Sequence, residues 1–269
     1  MTGLTFRKRE EPAERLDLST LTPSRLAGMA EREIVALPVG TSRMGLRVGD
    51  VFDVIMGDAA TICFEGGSHR FDRIGEAMEA GEIVVEGDAG VRLGRMLAGG
   101  QISVSGSVGA HAGSAMSGGV IRISGDAGER LGGPLAGEMM GLKGGTITVG
   151  GDAGARAGDR MRRGVIFVKG AAGEDLASRM IAGTIVVGGM AAATPGRLMK
   201  RGTLFLCGGA ERFAPTFVDN GPADLLILKI MADAFAKGEV GEVPFHGAPM
   251  RRLGGDTAVL GLGEVFLPL

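Results

Sequence analysis

Two columns of charged side chains are the part of this sequence that could do chemistry. Asp88, Asp126 and Asp152 each sit in a Gly-Asp-Ala-Gly tetrapeptide, beginning at Gly87, Gly125 and Gly151. Four residues after each aspartate comes Arg92, Arg130 or Arg156, and His111 holds the equivalent place between the first two. Glycine-rich loops that turn backbone N–H groups toward an anion make phosphate cradles, and a row of guanidinium groups attracts acidic partners or anionic cofactor tails. A phosphate cradle, however, follows one strand, opens one helix and occurs once. Here the tetrapeptide recurs with no helical pattern after it, so we read its glycines as chain corners. Like charges stacked above one another repel, so the two columns must face solvent or each other. Two readings follow. The Asp and Arg residues are neighbours on a solvated turn face, or Arg92, His111, Arg130 and Arg156 form a basic strip that docks an acidic partner or an anionic cofactor tail.

The remaining candidates point away from catalysis. His69, His111 and His246 are not at metal-ligand spacing. Cys63 and Cys207 lie far apart, inside the apolar runs 61–65 and 203–208, where buried free thiols are expected. No serine stands in a nucleophile elbow. The chain has no Trp, no Tyr and 11 Phe, so it lacks the aromatic platforms on which sugar-cleaving enzymes hold substrate. No catalytic, cofactor-binding or metal-binding residue is assigned.

The elements that position these columns emerge from the 50 glycines of the 269-residue chain. A glycine precedes each apolar triplet at Gly81, Gly100, Gly119, Gly145, Gly164, Gly183 and Gly202, with gaps of 19, 19, 26, 19, 19 and 19 residues. The second and fourth residues after it are aliphatic in nearly every copy, as in Ile83 and Val85, Ile121 and Ile123, or Ile185 and Val187. That is the period of a strand with one buried face. Further glycines recur at Gly94, Gly113, Gly132 and Gly158, and methionines at Met78, Met116, Met161, Met180 and Met199. Nineteen residues are too few for a strand, a crossover helix and a turn, but they suffice for one coil of short strands joined by corners. Stacked in register, the copies predict an all-β right-handed parallel β-helix whose Ile and Val positions form interior ladders and whose Met column fills a corner of the core. The six-residue period of left-handed hexapeptide helices is absent.

The spacing predicts three regions: an N-terminal arm and cap over 1–46, the parallel β-helix over 47–218, and a C-terminal helix and tail over 219–269. The run 61–66 reads as an additional strand and corner, and 51–55 as part of a still earlier coil. Open coil ends are unpaired edges that need covers. One candidate is a short helix beginning at Thr22-Pro23. The other is a longer helix within 220–238, opened by Pro222 and ended by Gly238, with Ile227, Met231 and Phe235 on one face. The tail after it reads as extended and laid along another surface. The seven extra residues of the long gap, around 133–141, must bulge outward. Leu135, Met139 and Met140 either pack back on the coil or contact a partner.

Composition limits the function classes. Hydrophobic residues make up 45% of the chain and the net charge is −2, which argues for a folded protein without affinity for nucleic acid or anionic membranes. The 23 Arg and 6 Lys are scattered. The first fourteen residues are charged and without an apolar core, no run approaches membrane-spanning length, and a cytoplasmic location is expected.

Repeats of the form Gly-x-Ile-x-Val-x-Gly-x-x-Gly with Met-x-x-Gly corners resemble the C-terminal β-helix of glutamate synthase, and more closely the C-type subunit of formylmethanofuran dehydrogenase. The resemblance covers about residues 50–210, and Leu37-Pro-Val-Gly with Leu46-Arg-Val-Gly-Asp-Val-Phe looks like that protein's entry into its repeat. The Arg-rich composition favours the bacterial branch, the formyltransferase/hydrolase complex, over an archaeal-type enzyme. The resemblance implies a non-catalytic scaffold in a hetero-oligomer with formyltransferase, amidohydrolase-like and molybdopterin-subunit-like chains. There a formyl group passes from formyl-tetrahydromethanopterin to a methanofuran-like carrier and is hydrolysed to formate. It carries no catalytic residue onto this chain and implies no cofactor bound by it. The alternative within the superfamily is an accessory protein of glutamate-synthase type in amidotransfer.

Overall fold

The computed structural model describes residues 3–238, 243, 245 and 249–269. His246 lies outside them. Strand β1 spans Gly3–Lys8 and β2 Leu16–Asp17, followed by single-turn helices α1 (Pro23–Leu26), α2 (Glu31–Ile34) and α3 (Val48–Val51). Next come β3 (Phe52–Ile55), β4 (Asp58–Glu65) and β5 (Phe71–Asp72). The repeat itself supplies β6 (Glu82–Glu86), β7 (Gln101–Val104), β8 (Val120–Ile123), β9 (Thr146–Val149), β10 (Val165–Val168), β11 (Thr184–Val187) and β12 (Arg201–Leu206). The chain closes with β13 (Val218–Ala223), α4 (Leu226–Lys237), β14 (Met250–Gly254) and β15 (Leu262–Pro268).

The fold is a parallel β-helix. From β4 through β6 to β12, each strand pairs in parallel with the strand of the next coil. The register stacks Ile83, Ile102, Ile121, Ile147, Ile166, Ile185 and Leu204. A second ladder two residues on runs from Val85 to Leu206. The residues of both ladders are at most 3% exposed, which follows from the period-two pattern with one face turned inward. A second wall is drawn by isolated parallel bridges between Ala89, Val108, Ala127, Ala153, Ala172, Ala191 and Ala210. Met78, Met116, Met161, Met180 and Met199 are buried in one corner, where Leu97 and Leu142 replace methionine in the two other coils.

Glycine is required where the coil turns. Gly119 has φ +78°, and a Cβ there would stand 2.6 Å from the carbonyl oxygen of Gly100 in the coil before. Gly113 has φ +66°, and its Cβ would meet the Cδ1 of Ile147 at 2.4 Å. Both positions combine a left-handed backbone with no room for a side chain.

The ends differ from the sequence expectation in four ways. The rung before β4 is not residues 51–55 but β1, which pairs with β4 in parallel and places Leu4 beside Ile62 and Phe6 beside Phe64. Strand β3 instead pairs antiparallel with the far edge of β1. Only Met56 and Gly57 separate β3 from β4, whereas a parallel return needs about a dozen residues. The helix expected from Thr22 breaks into α1 and α2 at Gly28, whose φ is +78°. The C-terminal helix starts at Leu226, not at Pro222, because Val218–Ala223 pair with β14. It ends at Gly238 as expected, but its buried residues are Leu228, Ala232 and Phe235, and Ile227 is 50% exposed.

Helix α4 covers the outer face of the last coils. Its buried side packs with Val186, Phe205, Phe245 and Phe266 in a cluster separate from the coil interior. The Phe205 and Phe245 rings stack at 3.9 Å. The coil end is closed by the tail: β15 pairs in parallel with β12, setting Val265 on Leu204, and β14 pairs antiparallel with β15. The extended tail is therefore the last rung of the ladder. Among the described residues the main sheet has 13 strands and runs through both of the expected region boundaries, from β3 and β1 at one end to β14 and β13 at the other.

Candidate functional site

The aspartate column is a ladder between coils. The Asp88 carboxylate accepts the backbone N–H of Ser107 at 2.8 Å, and the Ser107 hydroxyl accepts that of Asp126 at 2.9 Å. Asp126 accepts the N–H of Asp152 at 2.8 Å, and Asp152 that of Ala171 at 2.7 Å. Each side chain satisfies a corner N–H of the next coil, and this explains why short acceptors recur in the column. The tetrapeptide glycines allow that approach: a Cβ at Gly125 would stand 2.5 Å from Ser107 Oγ, and one at Gly151 2.1 Å from Asp126 Oδ1.

The basic column stands on the left-handed corner. Arg92, His111, Arg130 and Arg156 have φ between 56° and 62°, and the same register place is Arg73 in the coil before and Asp175 and Thr194 in the coils after. The strip is partly neutralised from within. Arg130 Nη1 lies 3.9 Å from the fully buried carboxylate of Asp159, and Arg156 Nε 3.6 Å from that of Asp175. Asp159 also receives Nε of Arg179 at 3.0 Å and the Ser178 hydroxyl at 3.1 Å. Asp175 receives Nε and Nη2 of Arg197 at 2.9 and 2.7 Å and the Thr194 hydroxyl at 2.8 Å. These donors hold the Asp175 carboxylate down at about 2, the Arg197 bonds contributing most. Burial, then the charges of Arg130 and Arg92, pushes the His111 imidazole below its ordinary value.

Sequence reasoning missed this Asp–Arg network. It continues toward the N-terminus through Arg15, bidentate on Asp72 at 2.6 Å for each bond, and through Arg95, 3.1 Å from Glu76. The signal was Asp175, an acid at the register place that holds a base in the five coils before it, where it faces Arg156 of the same column.

The insertion is anchored at its base and exposed at its tip. Glu138 binds Arg95 at 2.5 Å and accepts the N–H of Leu135 at 3.1 Å. Pro134 is buried, whereas Met139 is 70% exposed and stands in a shallow hollow with Met96, itself 45% exposed. Cys63 and Cys207 are free thiols, and burial raises Cys207 to about 11. Among the described residues no group of three acids, histidines or cysteines could hold a metal ion, and no helix is long and apolar enough to cross a membrane.

A glycine-cornered parallel β-helix whose recurring side chains tie coil to coil defines the class as that of the parallel β-helix proteins with coils of nineteen residues. No family model matches the chain. The C-type subunit of the formyltransferase/hydrolase complex Fhc from Methylorubrum extorquens is 47% identical over 89 residues, 33% of this chain and 34% of that one. The C-type subunit of tungsten-containing formylmethanofuran dehydrogenase 2 from Methanococcus maripaludis is 31% identical over 78 residues, 28% and 29% of the two chains. In these alignments the chain spans about a third of the length of the curated relatives it matches. A chain in the crystal structure of the Methylorubrum extorquens formyltransferase/hydrolase complex, solved with methylofuran, superposes with a TM-score of 0.94 at 44% identity, over 98% of this chain and 99% of that one. The protein belongs to the family of C-type subunits of formyltransferase/hydrolase complexes, with the corresponding formylmethanofuran dehydrogenase component among its relatives.

Proposed function

We propose that this chain is the scaffold of a formyltransferase/hydrolase complex in one-carbon metabolism. Its rigid stack positions partner chains of formyltransferase, amidohydrolase-like and molybdopterin-subunit-like type. Those partners move a formyl group from formyl-tetrahydromethanopterin to a methanofuran-like carrier and hydrolyse it to formate. The observation that carries the reading is the end-to-end superposition on a chain of the Methylorubrum extorquens complex, whose structure contains methylofuran.

The chain's own chemistry supports a positioning role. Asp88, Asp126 and Asp152 each bind a corner N–H of the next coil, Arg130 and Arg156 face carboxylates of neighbouring coils, and one-dimensional stacks present long surfaces of fixed geometry. Within that role we assign residues 47–218 to the positioning stack and 1–46 and 219–269 to its closures, which lend it β1 and β15 as end rungs. No residue of this chain is assigned to the formyl chemistry, and no activity is expected from it alone.

The test is to recover the tagged chain from its native host and identify by mass spectrometry what accompanies it. Formyltransferase and amidohydrolase-like chains in the eluate are the expected result. Elution alone, or with flavin and iron–sulfur synthase chains, contradicts the proposal.

A further inference from the structure

One corner of the stack carries positive charge that nothing among the described residues neutralises. Lys143, Arg162, Arg163, Lys200 and Arg201 all stand one or two residues before a leading glycine, on the same corner of three coils, and all are exposed. They line one groove of about 560 Å³. Among the described residues none of the five makes an ion pair. Arg162 touches the thioether of Met140, at 3.1 Å. Glu138 feels the charge of Lys143 but is already bound to Arg95. The molecule as a whole balances its charge: 29 Lys and Arg stand against 31 Asp and Glu.

The groove has two walls and a floor. Arg162 and Arg163 belong to the coil before Ile181 and Ala182, and Lys200 and Arg201 to the coil after, so the two basic pairs stand about 10 Å apart at ~4.8 Å per rung. Ile181 and Ala182 make the apolar floor between them. Leu260, 56% exposed, closes one side, and Leu262, paired in register with Arg201 and 59% exposed, continues the apolar rim. Among the described residues that line the space, none belongs to a helix terminus. Long unrestrained side chains spread across three coils suit a surface with several carboxylates, because a small anion gains little from donors that do not converge. The apolar floor asks for a side chain to seat between the charges.

We propose that this groove docks an acidic segment of a partner polypeptide in the assembled complex, with Asp or Glu residues against the two basic walls and an aliphatic or aromatic side chain on Ile181. The assignment rests on the scaffold reading above. Charge complementarity of this kind fixes which partner binds and in which register.

The test uses the tagged full-length chain in its native host, with two four-site variants. R162E/R163E/K200E/R201E reverses the walls, and R162K/R163K/K200R/R201K keeps their charge. The reversed chain is expected to lose at least one partner by roughly tenfold or more, while the charge-keeping chain holds it within about twofold, as for contacts governed by charge. A photo-crosslinking residue at position 181 is expected to join a segment rich in Asp and Glu. Equal recovery by the reversed chain, loss by both variants, or crosslinks to a segment without acids overturns the groove assignment and leaves the scaffold reading standing. A reversed chain that keeps every partner but loses a small carboxylate-rich ligand makes the groove a ligand site and also overturns it. A wild-type chain that elutes alone removes the scaffold reading and this surface together.

Discussion

The Asp126 carboxylate accepts the backbone N–H of Asp152 at 2.8 Å, although seven inserted residues lie in the coil between them. The corner ladder thus passes the insertion unbroken, and two like charges sit in register because each is occupied with an N–H of the coil above. What the column needs is an acceptor, not a charge. Asp126→Asn is expected to leave stability within about 0.5 kcal/mol, and Asp126→Ala to lose about 1 kcal/mol, the usual worth of one such bond. Denaturant unfolding of the three proteins measures this, and equal losses from both variants would show that the charge itself matters.

Strain and crowding at the glycine corners can be separated. Gly28 has φ +78° with nothing within 4 Å of a Cβ, whereas Gly113 has φ +66° and meets Ile147. Gly28→Ala is expected to cost about 1 kcal/mol, from the left-handed backbone alone. Gly113→Ala adds a clash within a close-packed core and is expected to cost a further ~1–3 kcal/mol. Similar losses at the two sites would mean that Ile147 gives way easily.

Acid should loosen the stack through Asp175. Its carboxylate is held down to about 2, below the ordinary value near 3.8, by Arg197 foremost. A depressed carboxylate contributes stability that is fully present above the unfolded value and is lost as pH falls through the folded one. The contribution is on the order of 2 kcal/mol and should vanish between about pH 4 and pH 2. Asp175→Asn should be less stable than wild type at pH 7, with the two converging toward pH 2. A constant gap between them would contradict the assignment.

The insertion should open without the stack opening. Glu138→Ala removes the carboxylate that binds Arg95 and Leu135. Hydrogen exchange over 134–141 is expected to rise while the Ile and Val ladders keep their protection, since loops open locally from a stable core. Faster exchange at Ile121 and Ile147 would show that the loop braces the coils.

Much of this was legible in the residues. A period of two inside a period of nineteen leaves one way to bury Ile83, Ile102 and Ile121, and the coils follow it. The ends were less legible because pairing across the chain decides them. The segment Gly3–Lys8 reads as part of a charged N-terminal arm, yet Leu4 and Phe6 alternate with its polar residues and complete the ladder below Ile62 and Phe64. Helix α4 has two apolar sides, with Leu228 buried and Ile227 exposed, so periodicity alone does not choose between them. The basic groove was hidden because its residues are neighbours in sequence only within a coil. The register that brings Arg163 near Lys200 lies across coils.

The most direct test of the central claim is to purify the complex from a host with and without the gene for this chain and measure formate released from a formylated methanofuran-like carrier. The partners are expected to assemble and release formate only when the chain is present, and the chain alone to release none. Partners that assemble and turn over at the full rate without it, or formate released by the isolated chain, would contradict the scaffold reading.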